Sequence, residues 1–391
     1  MTAMTGNWNY PLPLRFGAGR IAELPGVLHD WGCRNPLIVT DRGLKAHPMI
    51  AAAVAAMGKA GLACGVFGEV RSNPTKGDVE AGAAALRRGG HDAVVAWGGG
   101  SALDAGKAMA TMMHQEGSSL WRFTWGLEPD DGWDEVAGPP IVAVPTTAGT
   151  GAEMGGGGLV TDEATQEKRI VAHPSMTPRL VIADPELTVG LPPNLTAWTG
   201  IDALVHSLEA LCVPDFHPMG DGIAIHGMAL VHRYLPRAVA NGADIEARAA
   251  MLAASSMGAV AFAKGLGLMH GMSHAIGGVF DTHHGLTNAV VMPYVLQFNR
   301  PAIGGKMELL ARYLGLADAS FEGVYAWTTG LNRAFGVPRT LAELGVSEDA
   351  VDRLVPKILA DGNTPTNPVP VDFAAAARVL RQAIRGEGLP G

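Results

Sequence analysis

Residues 93–110 read AVVAWGGGSALDAGKAMA. The opening run is apolar, valine-bearing and uncharged, the composition of a strand buried on both faces. Gly98, Gly99 and Gly100 end it and Ser101 begins an alanine-rich helical stretch, so the segment reads as strand, turn and helix. Such a unit sets the unpaired N–H groups of a helix N-terminus beside a strand end, where a pyrophosphate fits and glycine lets it approach the backbone. A plain strand-to-helix turn with Ser101 as the cap accounts for the same letters. A P-loop does not, because G-x-x-x-x-G-K-[ST] requires glycine where Ser101 stands and a hydroxyl where Ala108 stands.

The same rhythm runs on either side. PLIVT (36–40), HPMIAAAVAAMGKAG (47–61), ACGVFG (63–68) and KGDVEAGAAALRRGG (76–90) precede the segment; PIVAVPT (140–146) and RLVIAD (179–184) follow it. Strand-like and helical stretches alternating at βαβ spacing predict a parallel sheet covered by helices on both faces. A second turn, PTTAGTGAE (145–153), sets Thr146, Thr147 and Thr150 beside Gly149 and Gly151 on the same expected edge. Asp41, closing PLIVTD, stands where a carboxylate binds a ribose diol and repels a 2′-phosphate, or where it caps the next helix. After VGLPPNL (189–195) long helical patterns dominate. The expected architecture is an α/β, Rossmann-like, dinucleotide-binding domain over residues 1–188 and an all-α domain over residues 189–391.

Composition narrows the function. A chain of 391 residues, 48% hydrophobic and 17% charged, buries a sizeable core. A net charge of -8 without any Lys/Arg run argues against a nucleic-acid partner. The start, MTAMTGNWNYPLPLRFG, lacks a basic-then-apolar leader, and AAMLAASSMGAVAFA (249–263) is shorter than a membrane span and broken by serines. No membrane association and a cytoplasmic location are expected. Cys33, Cys64 and Cys212 include no CxxC pair, so neither a disulfide framework nor a zinc–cysteine site is predicted.

The helical half holds a metal pattern. In LTAWTGIDALVHSLEAL (195–211), Asp202 and His206 are four apart and share one helix face; Glu209 joins them or orients His206. A buried Asp–His hydrogen bond is the plainer reading of that pair. GLMHGMSHAIGGVFDTHHG (267–285) adds His270, His274, His283 and His284, with His284 expected after a glycine-bearing loop. One carboxylate and three imidazoles would leave a coordination position for a substrate oxygen and suit Fe(II) or Zn(II). Spacing does not say which histidines bind.

GIDALVH, GLMHGMSHAIGG and HHGLTNAVVMPYVL, with GGGSALDAGK and VPTTAGTGAE, resemble the signature blocks of the iron-containing (group III) alcohol dehydrogenases, a family that includes lactaldehyde reductase and butanol dehydrogenases. The resemblance spans nearly the whole chain. It implies the dehydroquinate synthase-like fold of that family and reversible hydride transfer between an alcohol or hydroxyacid and NAD. Its implied ligands for Fe(II), with Zn(II) as the other candidate, are Asp202, His206, His270 and His284. It makes His274 a neighbour of the metal facing substrate, a candidate proton relay, and gives His283 no role. On the NAD side it implies Asp41 at the adenine ribose, Asn73 nearby, and Gly99, Gly100 and Ser101 at the pyrophosphate with Asp104 supporting the turn. Thr146, Thr147, Thr150 and Lys168 fall along the nicotinamide half. It further implies a small alcohol or aldehyde as substrate and a homodimer or larger assembly. The same fold serves a dehydroquinate synthase-like lyase, and the family a hydroxyacid–oxoacid transhydrogenase with bound nicotinamide; both are alternatives. The run GTGAEMGGGG departs from the family pattern, since Gly155 to Gly158 carry no side chains beside the expected substrate pocket. A roomier pocket is expected, or else a β-bulge without consequence.

Overall fold

The computed structural model describes residues 12–389 apart from 131 and 134. Residues 1–11 and 390–391, the outer ends of the two expected domains and most of the segment read above as leader-free, lie outside the described residues.

The strands are β1 (Leu14–Phe16), β2 (Pro36–Asp41), β3 (Gly65–Val70), β4 (Ala93–Gly98), β5 (Ile141–Pro145), β6 (Gly157–Asp162), β7 (Glu167–Ala172) and β8 (Leu180–Ala183). Six of them form one sheet in the order β1-β8-β5-β4-β2-β3, every neighbouring pair parallel. Helices α1 (Leu24–Asp30), α2 (Pro48–Lys59), α3 (Lys76–Gly89) and α4 (Gly100–Met112) are the crossovers. Side chains alternate along the central strands as the pleat demands. Val94 and Ala96 of β4 with Ala143 of β5 share one core with Leu86 and Met109, from α3 and α4. Val95, Trp97, Val142 and Val144 point into the other, with Leu24 and Met57 from α1 and α2. A strand buried on both faces explains why AVVAWG carries no polar residue.

The helical half comprises α5 (Pro193–Cys212), α6 (Pro218–Ala240), α7 (Ile245–Ala261), α8 (Leu268–Phe280), α9 (His284–Leu314), α10 (Phe321–Ala334), α11 (Val351–Ala360) and α12 (Phe373–Arg385), around one apolar core. Among the described residues, only Ile245–Lys264 is apolar and long enough to span a membrane, and half of it is buried inside the protein.

Two local expectations are corrected. Gly99, not Ser101, is the N-cap of α4 and supplies no side chain; the Ser101 hydroxyl donates to the Ser72 carbonyl instead. The glycines before His284 lie inside α8, and the turn is made by Asp281 at φ 53. A Cβ on Gly278 would stand 2.8 Å from the Gln166 carbonyl, so these glycines admit the β6–β7 hairpin against α8.

Candidate metal centre and dinucleotide cleft

Asp202 and His206 project from the same face of α5, His270 from the first turn of α8, and His284 opens α9. One ligand-capable atom of each lies within 4.8 Å of those of the others. The outer nitrogens explain the convergence. His206 Nδ1 faces the Gly149 carbonyl at 3.2 Å and His270 Nδ1 the Glu209 carboxylate at 2.5 Å. His284 Nδ1 meets Ser273 Oγ at 3.0 Å, while that hydroxyl donates to the His284 carbonyl at 3.1 Å. Each Nδ1 thus faces an acceptor, an arrangement that places hydrogen there and leaves Nε2 as the nitrogen a metal takes.

Burial pushes the His206 imidazole down to about 4 and that of His284 well below its usual value, so both rings are neutral near pH 7. Burial acts on His270 in the same sense, but the carboxylates of Glu209, Asp202 and Asp361 together outweigh it and the net shift is upward. The amide nitrogen of Asn288 reaches Asp202 Oδ1 at 2.8 Å, His284 Nε2 at 3.2 Å and His270 Nε2 at 3.3 Å. One amide cannot satisfy three inward-facing acceptors with its two hydrogens, and its own buried Oδ1 has no partner. A mixed N/O donor set this short of positive charge fits a divalent cation such as Fe(II) or Zn(II).

Glu209 orients His270 rather than His206, a correction that follows from the packing of α5 on the start of α8. His274 lies outside the four-donor group, its ring stacked on His284 with centroids 5.2 Å apart and its Nδ1 2.8 Å from Asp361 Oδ2. His283 caps α9 by accepting the Leu286 N–H at 3.3 Å and packs on Trp198.

On the sheet side, Gly99 and Gly100 lie against the second threonine loop. A Cβ on Gly100 would stand 2.6 Å from Thr150 Cγ2, and one on Gly99 3.3 Å from Thr147 Cγ2. The Thr146 N–H donates to the Gly98 carbonyl at 2.9 Å, tying the two loops together at the carboxyl ends of β4 and β5. The first turn of α4, without a capping side chain, offers its N–H groups to an anion. Asp41 does two things: Oδ1 accepts the N–H groups of Gly43 and Leu44 at 2.8 and 3.0 Å, and Oδ2 faces Gly98.

A cleft of about 530 Å³ runs from Asp41 past Asn73 and Thr161 to Gly277 and Gly278 on α8 and Asp281 just after it. The Asn73 amide donates across it to Asp281. Lys168 on β7 sits beside Gly277; burial lowers its pKa to about 8 against the opposing charges of Asp281, Asp202 and Asp104.

Asp104 lies under the hairpin. Its Oδ2 accepts the Leu159 N–H at 3.0 Å and its Oδ1 pairs with Lys107 at 3.1 Å. The fully buried Lys107 donates to the Ala152 carbonyl at 2.6 Å and to that of Gly157. The glycine run serves this packing: a Cβ on Gly158 would lie 2.9 Å from Asp104, and one on Gly156 would strike Thr177 and the His173 carbonyl. Only Gly155 of the four adjoins open space, and the β6–β7 register is continuous, so there is no bulge.

Sequence reasoning missed Asn288 and Asp361. Asn288 lies four after His284, one helical turn on and just before the apolar run AVVMP, a signal the spacing contained. Asp361 meets His274 across 87 positions and offered no local signal.

Residues 11–185 match the family described as iron-containing alcohol dehydrogenase, and residues 196–384 its C-terminal domain. The chain is 37% identical over 383 residues to 4-hydroxybutyrate dehydrogenase of Cupriavidus necator, covering 95% of this chain and 97% of that one. It is 35% identical over 387 residues to NAD-dependent methanol dehydrogenase of Bacillus methanolicus, covering 97% and 100%. Among solved structures, a 1,3-propanediol oxidoreductase superimposes with a TM-score of 0.90 at 33% identity, covering 97% of this chain and 100% of the other.

Proposed function

The chain belongs to the iron-containing alcohol dehydrogenase family, and from that membership we propose that it interconverts a short alcohol, diol or ω-hydroxyacid with its aldehyde, using NAD. The oxidoreductase activity is the family's; the substrate class, residue roles and assembly are the proposal. The names of the relatives favour exchange with free NAD over a bound-nicotinamide transhydrogenase or a lyase.

Asp202, His206, His270 and His284 hold the ion, and residues 189–391 are the metal and substrate domain. When bound, the ion supplies Lewis acidity toward a hydroxyl oxygen and NAD supplies the hydride acceptor. The α4 N-terminus with Gly99, Gly100 and Ser101 receives the pyrophosphate, and Asp104 braces that helix against the hairpin. Asp41 and Asn73 lie at the adenosine end; Thr146, Thr147, Thr150 and Lys168 flank the nicotinamide half. His274, buried beside His284, accepts the hydroxyl proton. A homodimer or larger assembly and a cytoplasmic location complete the reading.

The observation that carries it is the outer hydrogen bonding of the three rings, which engages Nδ1 of each with a protein partner and leaves Nε2 as the nitrogen for an ion. The test is metal analysis of freshly purified protein, then an NAD-coupled screen of alcohols, diols and hydroxyacids with that metal restored. Alcohol-dependent NADH formation that vanishes on chelation and returns with Fe(II) or Zn(II) is expected. NAD turnover indifferent to metal refutes it.

A further inference from the structure

A proton acceptor beside a metal needs its lone pair aimed at the substrate, and the ring of His274 on its own has two nitrogens to offer. Asp361, immediately after α11, settles which one. Its side chain is 7% exposed and that of His274 5%. Asp361 Oδ2 lies 2.8 Å from His274 Nδ1, and Oδ1 accepts the backbone N–H of Asn363 at 2.9 Å and its amide at 3.0 Å. Both oxygens are engaged, so the carboxylate is fixed in direction. An ionised carboxylate only accepts hydrogen bonds, so Nδ1 of His274 must bear the hydrogen. The stacking of His274 on His284, interplanar 20°, opposes rotation that would exchange the nitrogens.

We propose that Asp361 is a positioning residue for the dehydrogenation: it selects the Nδ1–H tautomer of His274 and so presents Nε2 to the substrate hydroxyl. This rests on the proposed role of His274. In alcohol oxidation the O–H bond breaks and its proton forms an N–H bond at Nε2, while the C–H electron pair departs with hydrogen as hydride to NAD. The imidazolium that results faces the Asp361 carboxylate, which stays ionised, and the proton then passes from Nε2 to solvent.

The test uses full-length Zn(II)-loaded protein, with 1-butanol and NAD for kinetics and ¹⁵N-resolved imidazole signals for the tautomer. In the parent protein His274 is expected as the Nδ1–H form; Asp361→Asn, which offers an N–H where an acceptor stood, should shift it toward Nε2–H. Asp361→Asn and His274→Ala should each lower kcat on the order of 100-fold, with bound metal and KM for NAD unchanged. The double variant should lose no more than either single one, and Asp361→Glu should recover most of the rate. An unchanged tautomer in Asp361→Asn, losses that multiply in the double variant, or loss of metal from Asp361→Asn would overturn the proposal. Full kcat in His274→Ala would instead remove the role assigned to His274, and with it this one.

Discussion

Glu209 accepts the Met269 N–H through Oε1 at 2.8 Å and faces His270 Nδ1 through Oε2 at 2.5 Å, so the start of α8 and the orientation of the His270 ring depend on one buried carboxylate. Glu209→Gln turns an acceptor into a donor at one of those contacts. Metal affinity should fall 10–100-fold, read by competition with a chromogenic chelator; an unchanged affinity would mean that packing alone orients His270. Asp202 and His206 were legible in the sequence because helical spacing puts them on one face. Glu209 shares that spacing, but spacing cannot tell which neighbouring helix supplies its partner. Lys168 gives a pH dependence: its ammonium, weakened by burial to a pKa of about 8, is protonated below that value and neutral above it. In chelator-treated protein, NADH affinity by fluorescence should therefore drop as pH rises through about 8, and Lys168→Met should flatten the profile. A flat profile in the parent protein would separate Lys168 from the dinucleotide.

The β6–β7 hairpin is an element that bridges α4 and α8. It packs on α4 through Gly158 and on α8 through Gln166 and Lys168. Gly158→Ala forces a methyl group against Asp104 and should cost about 1–3 kcal/mol in denaturant unfolding, whereas Gly155→Ala, with nothing within 4 Å, should stay within about 0.5 kcal/mol. Equal effects would contradict the packing described. The parallel sheet was readable because each buried strand is an apolar run between turn residues. The hairpin was not: Gly155 to Gly158 and the polar TDEATQEKR carry no alternation, and β7 is mostly half-buried, so no hydrophobic pattern marks it.

At the level of the molecule, Asp202, His206, His270 and His284 all come from α5, α8 and α9, so an ion held by them would close the helical half on itself. Without it, Asp202, His270 and His284 share the one amide of Asn288. Chelation should lower the midpoint of thermal unfolding, since an ion at about 1,000 times its Kd adds about 4 kcal/mol to the folded state. Calorimetry with and without chelator measures this, and coincident transitions would remove the ion from the stability of the fold. The change of rhythm near residues 189–195 was legible because βαβ alternation gives way to long helices; the join between the halves was not, because it is made by contacts between distant positions, Asn73 with Asp281, Glu153 with Ser256 and the Gly149 carbonyl with His206.

Gly149, whose carbonyl faces His206, is on the same loop as Thr150, whose methyl lies against the glycine turn of α4. A dinucleotide that steadied this loop would also steady His206, and by linkage an ion held by His206 would then change dinucleotide affinity by the same factor, which would make the two binding constants a matched pair that neither titration alone can report.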